Sequence, residues 1–451
     1  MLESLHARLP GKVSERAADL EQHSADETAA LRRPPAAVVF ATDRHDVVTA
    51  LAWSQETRTP VIPYGAGTSA EGHIVPLGGE IALDLSGMDR VLAVCPEDFL
   101  AVAQPGVTRT ALNRAVAGEG LLFPVDPGAD ASIGGMAATN ASGTTTVRYG
   151  GMRSNVLALE AVLPGGKVIR CGRGVRKTSS GYDLKDLFVG SAGTLAVFTE
   201  LTVALHPQPA HVHAQRLVFG TVAGAVAAAT AMMASALPVA RLELVDTLSM
   251  RAVNRHLGTD YPESPALFVE MHCSSEAALD SEAEEVAALA WDSGVLKVAS
   301  ARTAADRAAL WSARHQLFFA VKALYPERRY LITDTAVPLS QVAEMVRVTE
   351  KEADALGLDV VIAGHVADGN VHTIVPVAPE QADRAREFSD LLVEHALSVG
   401  GTATGEHGIG VAKKKYLRLE HGDAVDVMTA VKAAIDPLGL LNPGKILDLP
   451  R

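Results

Sequence analysis

Short runs of β-branched and apolar residues alternate with helical stretches from about residue 36 onward. The run at 37–40 predicts a strand, because β-branched and aromatic side chains favour extended backbone. Asp43 follows it and predicts the cap of a helix that runs through Ser54, since its carboxylate can accept the free N–H groups of a first turn. Further elements follow the same pattern, namely strands at 61–62, 81–85, 91–94, 99–102, 157–163 and 168–171, and a helix capped by Thr108 that runs through Ala117.

The stretch from 120 to 155 interrupts this alternation. It is dense in Gly, Ser, Thr and Asn and has little periodicity, which in a compact domain is typical of a functional or disordered segment. A second interruption, His206-Pro-Gln-Pro-Ala210, predicts a domain boundary. Beyond it, strands and longer helices alternate without repeats, so the pattern indicates an α+β protein.

Composition narrows the class of protein. The chain has 451 residues, of which 48% are hydrophobic and 21% charged, so it can bury a large core. Its formal charge of −13 argues against nucleic-acid binding, which is normally carried by a basic surface. The stretch 217–240 has no charged residue, but its strand-like start and Pro238 favour a strand and a buried Ala-rich helix over a membrane span.

The cysteines and the first residues of the chain indicate the cellular compartment of the protein. Cys95, Cys171 and Cys273 lie far apart with no C-x-x-C pair, which excludes a disulfide framework, a four-thiolate zinc site and an iron–sulfur cluster. A reducing compartment is therefore expected. The N-terminus carries Glu3 and lacks the apolar stretch of a signal peptide, so export is not expected and a cytoplasmic location is.

The segment 61–70 contains the spacing G-x-G-x-x-A of a dinucleotide-binding turn. That interpretation requires a helix to begin here, but three glycines and Pro76 within 71–79 would break one. What remains is a loop whose successive backbone N–H groups can bind an anion, with Thr68 and Ser69 as further donors. An ordinary glycine turn is the alternative.

Two further loops, 123–143 and 177–195, are also rich in glycine and hydroxyl residues. Small residues let the backbone approach a large flat ligand closely. The three loops could still be simple turns, although strands this short rarely need so many. The sequence therefore favours a ligand site in this part of the chain.

The dipeptide Asp368-Gly369 signals a two-residue hairpin turn. With these residues at the turn, His365 and His372 become direct cross-strand partners with Cβ atoms about 5 Å apart on one face. That separation suits two imidazoles that share one divalent metal ion. The alternative is a hairpin with two ordinary hydrogen-bonded histidines.

Glu406 and His407 stand between glycines in the segment 401–410. A carboxylate here could complete a set of two histidines and one carboxylate with open positions for water or substrate. His407 could then act as a base. By itself the segment is a weak signal, and the histidine hairpin strengthens it.

Arg314 lies in the helical segment Trp311-Ser-Ala-Arg314-His315. A guanidinium can clamp a substrate carboxylate with two parallel hydrogen bonds. The ordinary alternative is an arginine that is solvated or paired at the surface.

Together these motifs resemble the vanillyl-alcohol-oxidase-type FAD-binding flavoproteins, and the resemblance covers roughly residues 30 to 449. Within that family the chain is most similar to the cytochrome-type D-lactate dehydrogenases. The family motifs are 63–72, 124–132, 405–410 and 442–445, and the subgroup motifs are 241–246, 313–315 and 333–338.

The resemblance implies an α+β fold with an FAD-binding domain of the PCMH type made of two subdomains. This domain would span 32–208 and be completed by about 420–451. A cap domain at 209–419 would carry the metal and the catalytic site. The residues around His73 do not match relatives with a covalent histidyl-flavin, so non-covalent FAD is expected.

The resemblance also implies individual roles. The loop 63–72 would hold the FAD pyrophosphate, and Asn442 would approach the isoalloxazine. His407 would be the base and Arg314 the carboxylate clamp. One divalent ion (Zn, Mn or Fe) would be bound by His365, His372 and Glu406. The residues expected to bind FAD are Pro63, Gly65, Ala66, Gly67, Thr68, Ser69, Gly72, Asp126, Pro127, Ser132, Gly135, Ser142, Gly143, Gly193, Val197 and Asn442.

The implied activity is oxidation of a D-2-hydroxy acid, first of all D-lactate, to the 2-oxo acid, with hydride transfer to flavin N5. Similar D-2-hydroxyglutarate enzymes carry a lysine near Ile332, so the apolar Leu331 and Ile332 favour a small monocarboxylate. D-2-hydroxyglutarate and glycolate dehydrogenases remain alternatives. A catalytically silent flavin-binding electron-transfer subunit is another, and the intact metal set argues against it.

The expected partners are the hydroxy acid and an electron acceptor, which could be a cytochrome, a quinone or an electron-transfer protein. No nucleic acid and no transmembrane segment are expected. A homodimer is one candidate assembly, and contact with a membrane would come only through the acceptor.

Overall fold

The structure is a computed structural model that describes residues 2–27 and 31–449. These residues form two compact units. The first body consists of the described residues of Met1–Gly143, Gly150–Gln208 and Glu406–Arg451, and the second body consists of Thr144–Tyr149 and Pro209–Gly405. The chain thus enters the second body after Gln208, next to the predicted boundary, and leaves it at Gly405, whereas the resemblance placed this return near 420.

A four-stranded sheet lies at the start of the first body. Its strand order is Val13–Ser14, Ala37–Phe40, Ile81–Asp84, Val61–Tyr64, and the last three strands are parallel. Asp43 caps the helix Arg44–Thr57 as predicted, because its carboxylate accepts the Asp46 backbone N–H. The other helices of this part are Leu2–Arg8 and Ala17–Gln22.

The second sheet of the first body has five antiparallel strands, in the order Val91–Cys95, Leu100–Ala103, Val197–Ala204, Val156–Val162, Val168–Gly172. The strands predicted here are confirmed to within two residues at each end. A two-stranded pair joins Leu121–Leu122 to His206–Pro207. The helices of this part are Arg109–Val116, Ile133–Thr139, Met152–Asn155, Leu184–Phe188, Leu417–His421 and Ala424–Ile435.

The stretch 120–155 has more regular structure than its composition predicted. Ser132 caps the helix Ile133–Thr139 by accepting the Gly135 backbone N–H at 3.3 Å. The first helical N–H groups are also bound by distant backbone, since Ile133 donates to the Val107 carbonyl. Tertiary hydrogen bonds therefore offset the low helix propensity of the glycines.

The second body is built on a seven-stranded antiparallel sheet. Its strand order is Val295–Ala301, His211–Phe219, Ala266–Cys273, Val239–Val245, Val361–His365, Asn370–Val377, Arg329–Ala336. One face packs a large apolar core against the helices Val222–Ala234, Glu276–Asp292, Val342–Leu356 and Ala382–Ser398. The opposite face packs a smaller core against Thr247–Leu257, Ala304–His315 and Leu317–Leu324.

The Ala-rich stretch without charges is divided as predicted between a strand and a buried helix, His211–Phe219 and Val222–Ala234. Across residues 2–27 and 31–449, no helix combines the length and the apolar character needed to span a bilayer.

Candidate active site

The loop after the strand Val61–Tyr64 is the first predicted ligand loop. The structure describes this whole segment, and no helix begins in it before the strand Ile81–Asp84, which confirms that it is not a dinucleotide-binding turn of the usual kind. A Cβ atom on Gly65 would lie 2.5 Å from Ser132 Oγ, so a larger residue would displace the hydroxyl that caps the helix Ile133–Thr139.

Glycines also allow close approach within the second loop and between the third loop and the first. A Cβ on Gly143 would lie 2.3 Å from the Asp126 carbonyl oxygen, and one on Gly193 would lie 2.9 Å from Pro63 Cγ. The three glycine- and hydroxyl-rich loops are therefore neighbours in the first body. Every residue predicted to bind FAD lies in this body, including Ala66, Gly67, Thr68, Gly72, Pro127, Gly135, Ser142 and Val197.

A cavity of about 240 Å3 opens where two of these loops meet. It is lined by small residues and hydroxyl groups that could receive a polar ligand, namely Gly65, Ala66, Ser86, Asp89, Gly106, Val107, Thr108, Ala111 and Ser132.

Three buried polar atoms near these loops have no hydrogen-bond partner among the described residues. They are Ser69 Oγ, Ser191 Oγ and Asn442 Oδ1. The amide of Asn442 donates to the carbonyls of His73 at 2.9 Å and Ala192 at 2.7 Å, which fixes the orientation of the side chain and leaves Oδ1 as an acceptor. Buried polar groups in proteins are normally satisfied, so these orphaned atoms fit a large polar cofactor.

His407 lies in the first body beside a buried carboxylate. Its Nδ1 is 3.5 Å from Glu71 Oε1, and the same oxygen is 3.2 Å from Lys413 Nζ. The backbone carbonyl of His407 contacts His73 Nε2 at 2.8 Å. Burial of the His73 ring lowers its pKa, so that imidazole is neutral. A carboxylate at Nδ1 would leave Nε2 of His407 to take a proton.

Glu406 is also held within the first body. Its Oε2 accepts a hydrogen bond from Ser142 Oγ at 3.2 Å, and its Oε1 lies 3.8 Å from His407 Nε2. Ser142 belongs to the second ligand loop, so the predicted third metal ligand contacts a residue predicted to bind FAD.

The histidine hairpin forms, but its register differs from the prediction. His372 pairs with Ala363 rather than with His365, because a 3-10 turn over Val366–Asp368 replaces the expected two-residue turn. The register is displaced by two residues, and a displacement by an even number keeps each side chain on the same face. The two imidazole rings therefore still meet, with centroids 5.2 Å apart and candidate ligand atoms within 4.8 Å.

A buried carboxylate lies behind each histidine. His365 Nδ1 is 2.6 Å from Glu243 Oε1, and His372 Nδ1 is 3.7 Å from Asp334 Oδ1. Both carboxylate side chains have no solvent exposure. Carboxylates in this position orient metal-binding histidines and fix which ring nitrogen carries the proton.

Arg314 is not a solvated surface residue. Its side chain is 16% exposed, and its Nε and Nη2 each lie 2.9 Å from Glu243 Oε2. Burial alone would raise the pKa of Glu243, but its interactions with His365 and Arg314 hold that pKa below its ordinary value. The second body thus contains a charged cluster, defined here as Arg314, Glu243, His365 and His372.

The segment that leads to Glu406 passes beside this cluster. Within the second body, Gly405 donates its backbone N–H to the Asp334 carbonyl at 3.3 Å, and Thr404 Oγ1 donates to Asp334 Oδ2 at 2.8 Å. A Cβ on Gly405 would lie 2.5 Å from Asn370 Nδ2. Glu406 is the next residue in the chain.

Sequence reasoning missed Glu71, Glu243 and Asp334. Each pairs with a partner far away in the chain, for example 122 positions apart for Glu243 and His365. One local signal was available for Glu243. It stands between Leu242 and Leu244 in the largely buried strand Val239–Val245, and a charged residue in a buried strand is normally paired.

Solved structures of two other enzymes share this fold. p-Cresol methylhydroxylase matches with a TM-score of 0.79 at 17% identity over 99% of this chain and 96% of its own. 4-Ethylphenol oxidase from Gulosibacter chungangensis matches with a TM-score of 0.76 at 18% identity over 100% of this chain and 98% of its own. At this identity the likeness concerns the fold, and it confirms the predicted α+β class.

Two family models cover most of the chain. An FAD binding domain matches residues 35–172, and the C-terminal domain of FAD linked oxidases matches residues 208–446.

Curated relatives are more similar in sequence. A Danio rerio protein named "Probable D-lactate dehydrogenase, mitochondrial" is 40% identical over 97% of this chain and 89% of its own. A mitochondrial cytochrome-type D-lactate dehydrogenase of Arabidopsis thaliana is 39% identical over 92% of this chain and 73% of its own. The glycolate oxidase subunit GlcD of Bacillus subtilis is 31% identical over 94% of this chain and 91% of its own.

The chain belongs to the FAD-linked oxidases, in the family of these D-lactate dehydrogenases, and its cofactor is FAD. The resemblance found in the sequence is confirmed. The orphaned polar atoms of the first body fit this cofactor. The expected cytoplasmic location stays a prediction, and the two D-lactate dehydrogenases above carry mitochondrial names.

Proposed function

We propose that the chain is an FAD-dependent dehydrogenase that oxidises D-lactate to pyruvate. The observation that carries this proposal is the 40% identity, over 97% of the chain, to a protein assigned to that activity. The charged cluster of the second body supports it, since a guanidinium and two imidazoles suit a small anion that bears a hydroxyl group.

Arg314 would bind the substrate carboxylate. Nε and Nη2 face Glu243, which fixes the plane of the guanidinium, and Nη1 forms no hydrogen bond among the described residues. An arginine held in this way can donate from its remaining edge without a large loss of side-chain entropy. It would therefore orient the substrate rather than only attract it.

His407 would take the hydroxyl proton. Glu71, close to His407 Nδ1, would hold the ring and stabilise the imidazolium once the proton has arrived. When bound, FAD supplies the acceptor for the hydride that leaves C2 of the substrate. Non-covalent binding is part of this proposal, and Asn442 and the three loops of the first body would hold the cofactor.

His365, His372 and Glu406 would bind one divalent metal ion. Two imidazoles and one carboxylate are a common donor set for Zn, Mn or Fe, and the buried carboxylates behind both histidines are the usual partners of such ligands. The position of Gly405 beside Asp334 and Asn370 supports Glu406 as the third ligand, since Glu406 follows it directly. Such an ion would lower the energy of the substrate alkoxide as a Lewis acid.

Ile332 supports a small monocarboxylate. In the strand Arg329–Ala336 it lies two residues before Asp334, so both side chains are on the same face of the sheet. Its cross-strand partner is the apolar Ile374. No cation stands at this position to bind a second carboxylate, which disfavours D-2-hydroxyglutarate.

Glycolate is the second candidate substrate, because a relative of 31% identity is a glycolate oxidase subunit. Glycolate is smaller than lactate by one methyl group and would meet the same carboxylate and hydroxyl donors. A cytochrome is the proposed electron acceptor, in line with the name of the Arabidopsis relative.

The test is anaerobic mixing of the purified yellow protein with D-lactate, L-lactate, glycolate and D-2-hydroxyglutarate, each followed by flavin absorbance. D-Lactate should bleach the flavin fastest, and cytochrome c should be reduced on its addition. Faster bleaching by glycolate would identify glycolate, and not D-lactate, as the preferred substrate. No bleaching by any of the four acids would overturn the proposal.

A further inference from the structure

A single buried carboxylate contacts both a proposed metal ligand and the proposed substrate clamp. Glu243 Oε1 lies 2.6 Å from His365 Nδ1, while Oε2 lies 2.9 Å from Arg314 Nε and Nη2. We propose that Glu243 is a positioning residue that couples the metal site to substrate-carboxylate binding. This inference rests on the proposed function, because both of its partners take their roles from it.

The contact with His365 selects one tautomer of the imidazole. A carboxylate within hydrogen-bond distance of Nδ1 keeps a proton on that nitrogen, and the lone pair is then on Nε2. The side chain of Glu243 has no solvent exposure, so water does not compete for this hydrogen bond. His365 is thereby presented as a ligand through Nε2, with its ring plane fixed.

The contact with Arg314 fixes the second functional group. Nε and Nη2 both point to one oxygen of Glu243, so the guanidinium cannot rotate without breaking a buried ion pair. Removing the cation from a buried carboxylate destabilises a protein far more than breaking an ion pair at the surface. The pairing of Glu243 with Arg314 is therefore maintained. The Nη1 edge is consequently held in one direction.

The charge balance links the two contacts. Glu243 neutralises Arg314, so the arginine contributes directed hydrogen bonds to a bound carboxylate but little net positive charge. The charge of the substrate must then be balanced by a cation at the histidines. Loss of the Glu243 charge should weaken metal binding and substrate binding together, although Glu243 is not itself a proposed ligand of either.

The neighbouring strand offers a matched control. Glu270 is also buried, and it lies on the same face because its cross-strand partner Arg241 is two residues from Glu243. It accepts a hydrogen bond from Trp311 Nε1 at 2.6 Å, and Trp311 belongs to the same helix as Arg314. Among the described contacts of Glu270, none involves Arg314 or the two histidines.

The experiment compares Glu243→Gln with Glu270→Gln in the full-length, flavin-loaded protein. Zinc and manganese affinities are measured separately, without substrate, by competition with a chelator. We expect Glu243→Gln to weaken metal binding by about 10- to 100-fold, the usual effect of losing such a carboxylate. Glu270→Gln should leave the affinity unchanged even where it lowers the melting temperature.

Kinetics at saturating metal give the second readout. The KM for D-lactate should rise more in Glu243→Gln than kcat falls, because the orientation of Arg314 serves substrate binding first. Glu243→Asp keeps the charge but is shorter by one methylene, so it cannot reach both partners at once. It should restore part of one function only, and it replaces Glu243→Gln in both measurements if that variant does not fold.

The outcomes separate this inference from the proposed function. Unchanged metal affinity in Glu243→Gln, with the parent protein binding metal, would overturn the coupling while D-lactate oxidation stands. Equal losses in the Glu243 and Glu270 variants would also overturn it, since they would show general damage. A parent protein that reduces its flavin with D-lactate but binds no divalent metal would overturn the coupling and the metal site, and would leave the dehydrogenase activity intact.

Discussion

The two bodies carry candidate ligand-binding groups of different kinds. In the first body, glycines bring backbone segments within contact distance, as at Gly143 and Asp126, and the orphaned groups are neutral hydroxyls and an amide. In the second body the candidate site consists of three side chains from strands and Arg314 from a helix, with His365 and Arg314 paired to the buried Glu243. A large, flat cofactor requires space and backbone donors, whereas a small anion requires fixed charges in a place that excludes water.

This difference predicts separable defects. Changes in the glycine loops should alter flavin content, and changes in the charged cluster should alter metal content and kinetics while the flavin stays bound. The pair Glu406 and His407 is the exception, because these residues of the first body are the proposed third metal ligand and the proposed base. The four predictions below test this division, in order of decreasing effect.

His407→Asn tests the exception. The variant should keep its flavin and its metal but reduce the flavin about 10²- to 10⁴-fold more slowly, the usual contribution of a general base. Stopped-flow absorbance under anaerobic conditions measures this rate. Glu406→Ala is the comparison, and it should lose metal as well as rate. A His407→Asn protein that reacts at the parent rate would show that another group takes the proton.

Arg314→Lys keeps the positive charge and loses the planar, two-edged donor. It can no longer serve both Glu243 and a substrate carboxylate, so kcat/KM for D-lactate should fall by about tenfold or more with flavin content unchanged. Arg307→Lys on the same helix is the control, because Arg307 donates to the Val212 carbonyl instead of to the cluster. Equal kinetics in the two variants would contradict the clamp.

Gly143→Ala tests the first body. Its added Cβ would lie 2.3 Å from the Asp126 carbonyl oxygen, which is backbone and cannot rotate away, so the two segments must separate. The purified variant should contain several-fold less flavin per chain, measured by absorbance after denaturation. Gly118→Ala, which meets nothing within 4 Å, should bind flavin like the parent. Full flavin content in Gly143→Ala would mean that this close approach is not needed.

Asp246→Asn tests charge pairing within the second body. Asp246 lies three residues after Glu243 and accepts the backbone N–H groups of Ser249 and Ile362, and the groups that alter its pKa include no cation. Burial raises its pKa to about 6. In the unfolded chain an aspartate titrates near 4, so ionisation of Asp246 between about pH 4 and pH 6 should cost on the order of 2 to 3 kcal/mol of folding stability.

The direction in which pH changes the folding stability follows from proton binding. The folded protein binds the extra proton in this window, so the parent is stabilised below about pH 4 and loses that contribution as the pH rises through 6. Asparagine can still cap the helix Thr247–Leu257 but does not ionise. Urea unfolding at pH 4.5 and pH 7 should therefore show a smaller loss of stability on raising the pH in Asp246→Asn than in the parent. Equal losses would show that Asp246 does not titrate in this range.

Local patterns determined much of the fold. The Asp43 cap, the helix after it and the short strands of the first body depend on propensities and hydrogen bonds within a few residues, so their residues predicted them. The same holds for the break in helical character after Gly65, which excluded a dinucleotide-binding turn. The sequence also supplied the candidate site residues His365, His372, Glu406 and Arg314, because imidazole, carboxylate and guanidinium groups can bind metals and anions, and their roles stay predictions.

Tertiary structure decided how these groups are paired. The turn type at Asp368-Gly369 set the register of the histidine strands, and the rings still meet because a two-residue displacement preserves the face. Glu71 reaches His407, and Glu243 joins Arg314 to His365, across long stretches of chain that carry no local signal for either pair. An ion pair between distant residues depends on strand order and burial. The amino-acid sequence by itself therefore determined which groups could do chemistry, and the packing of the sheet decided which of them act together.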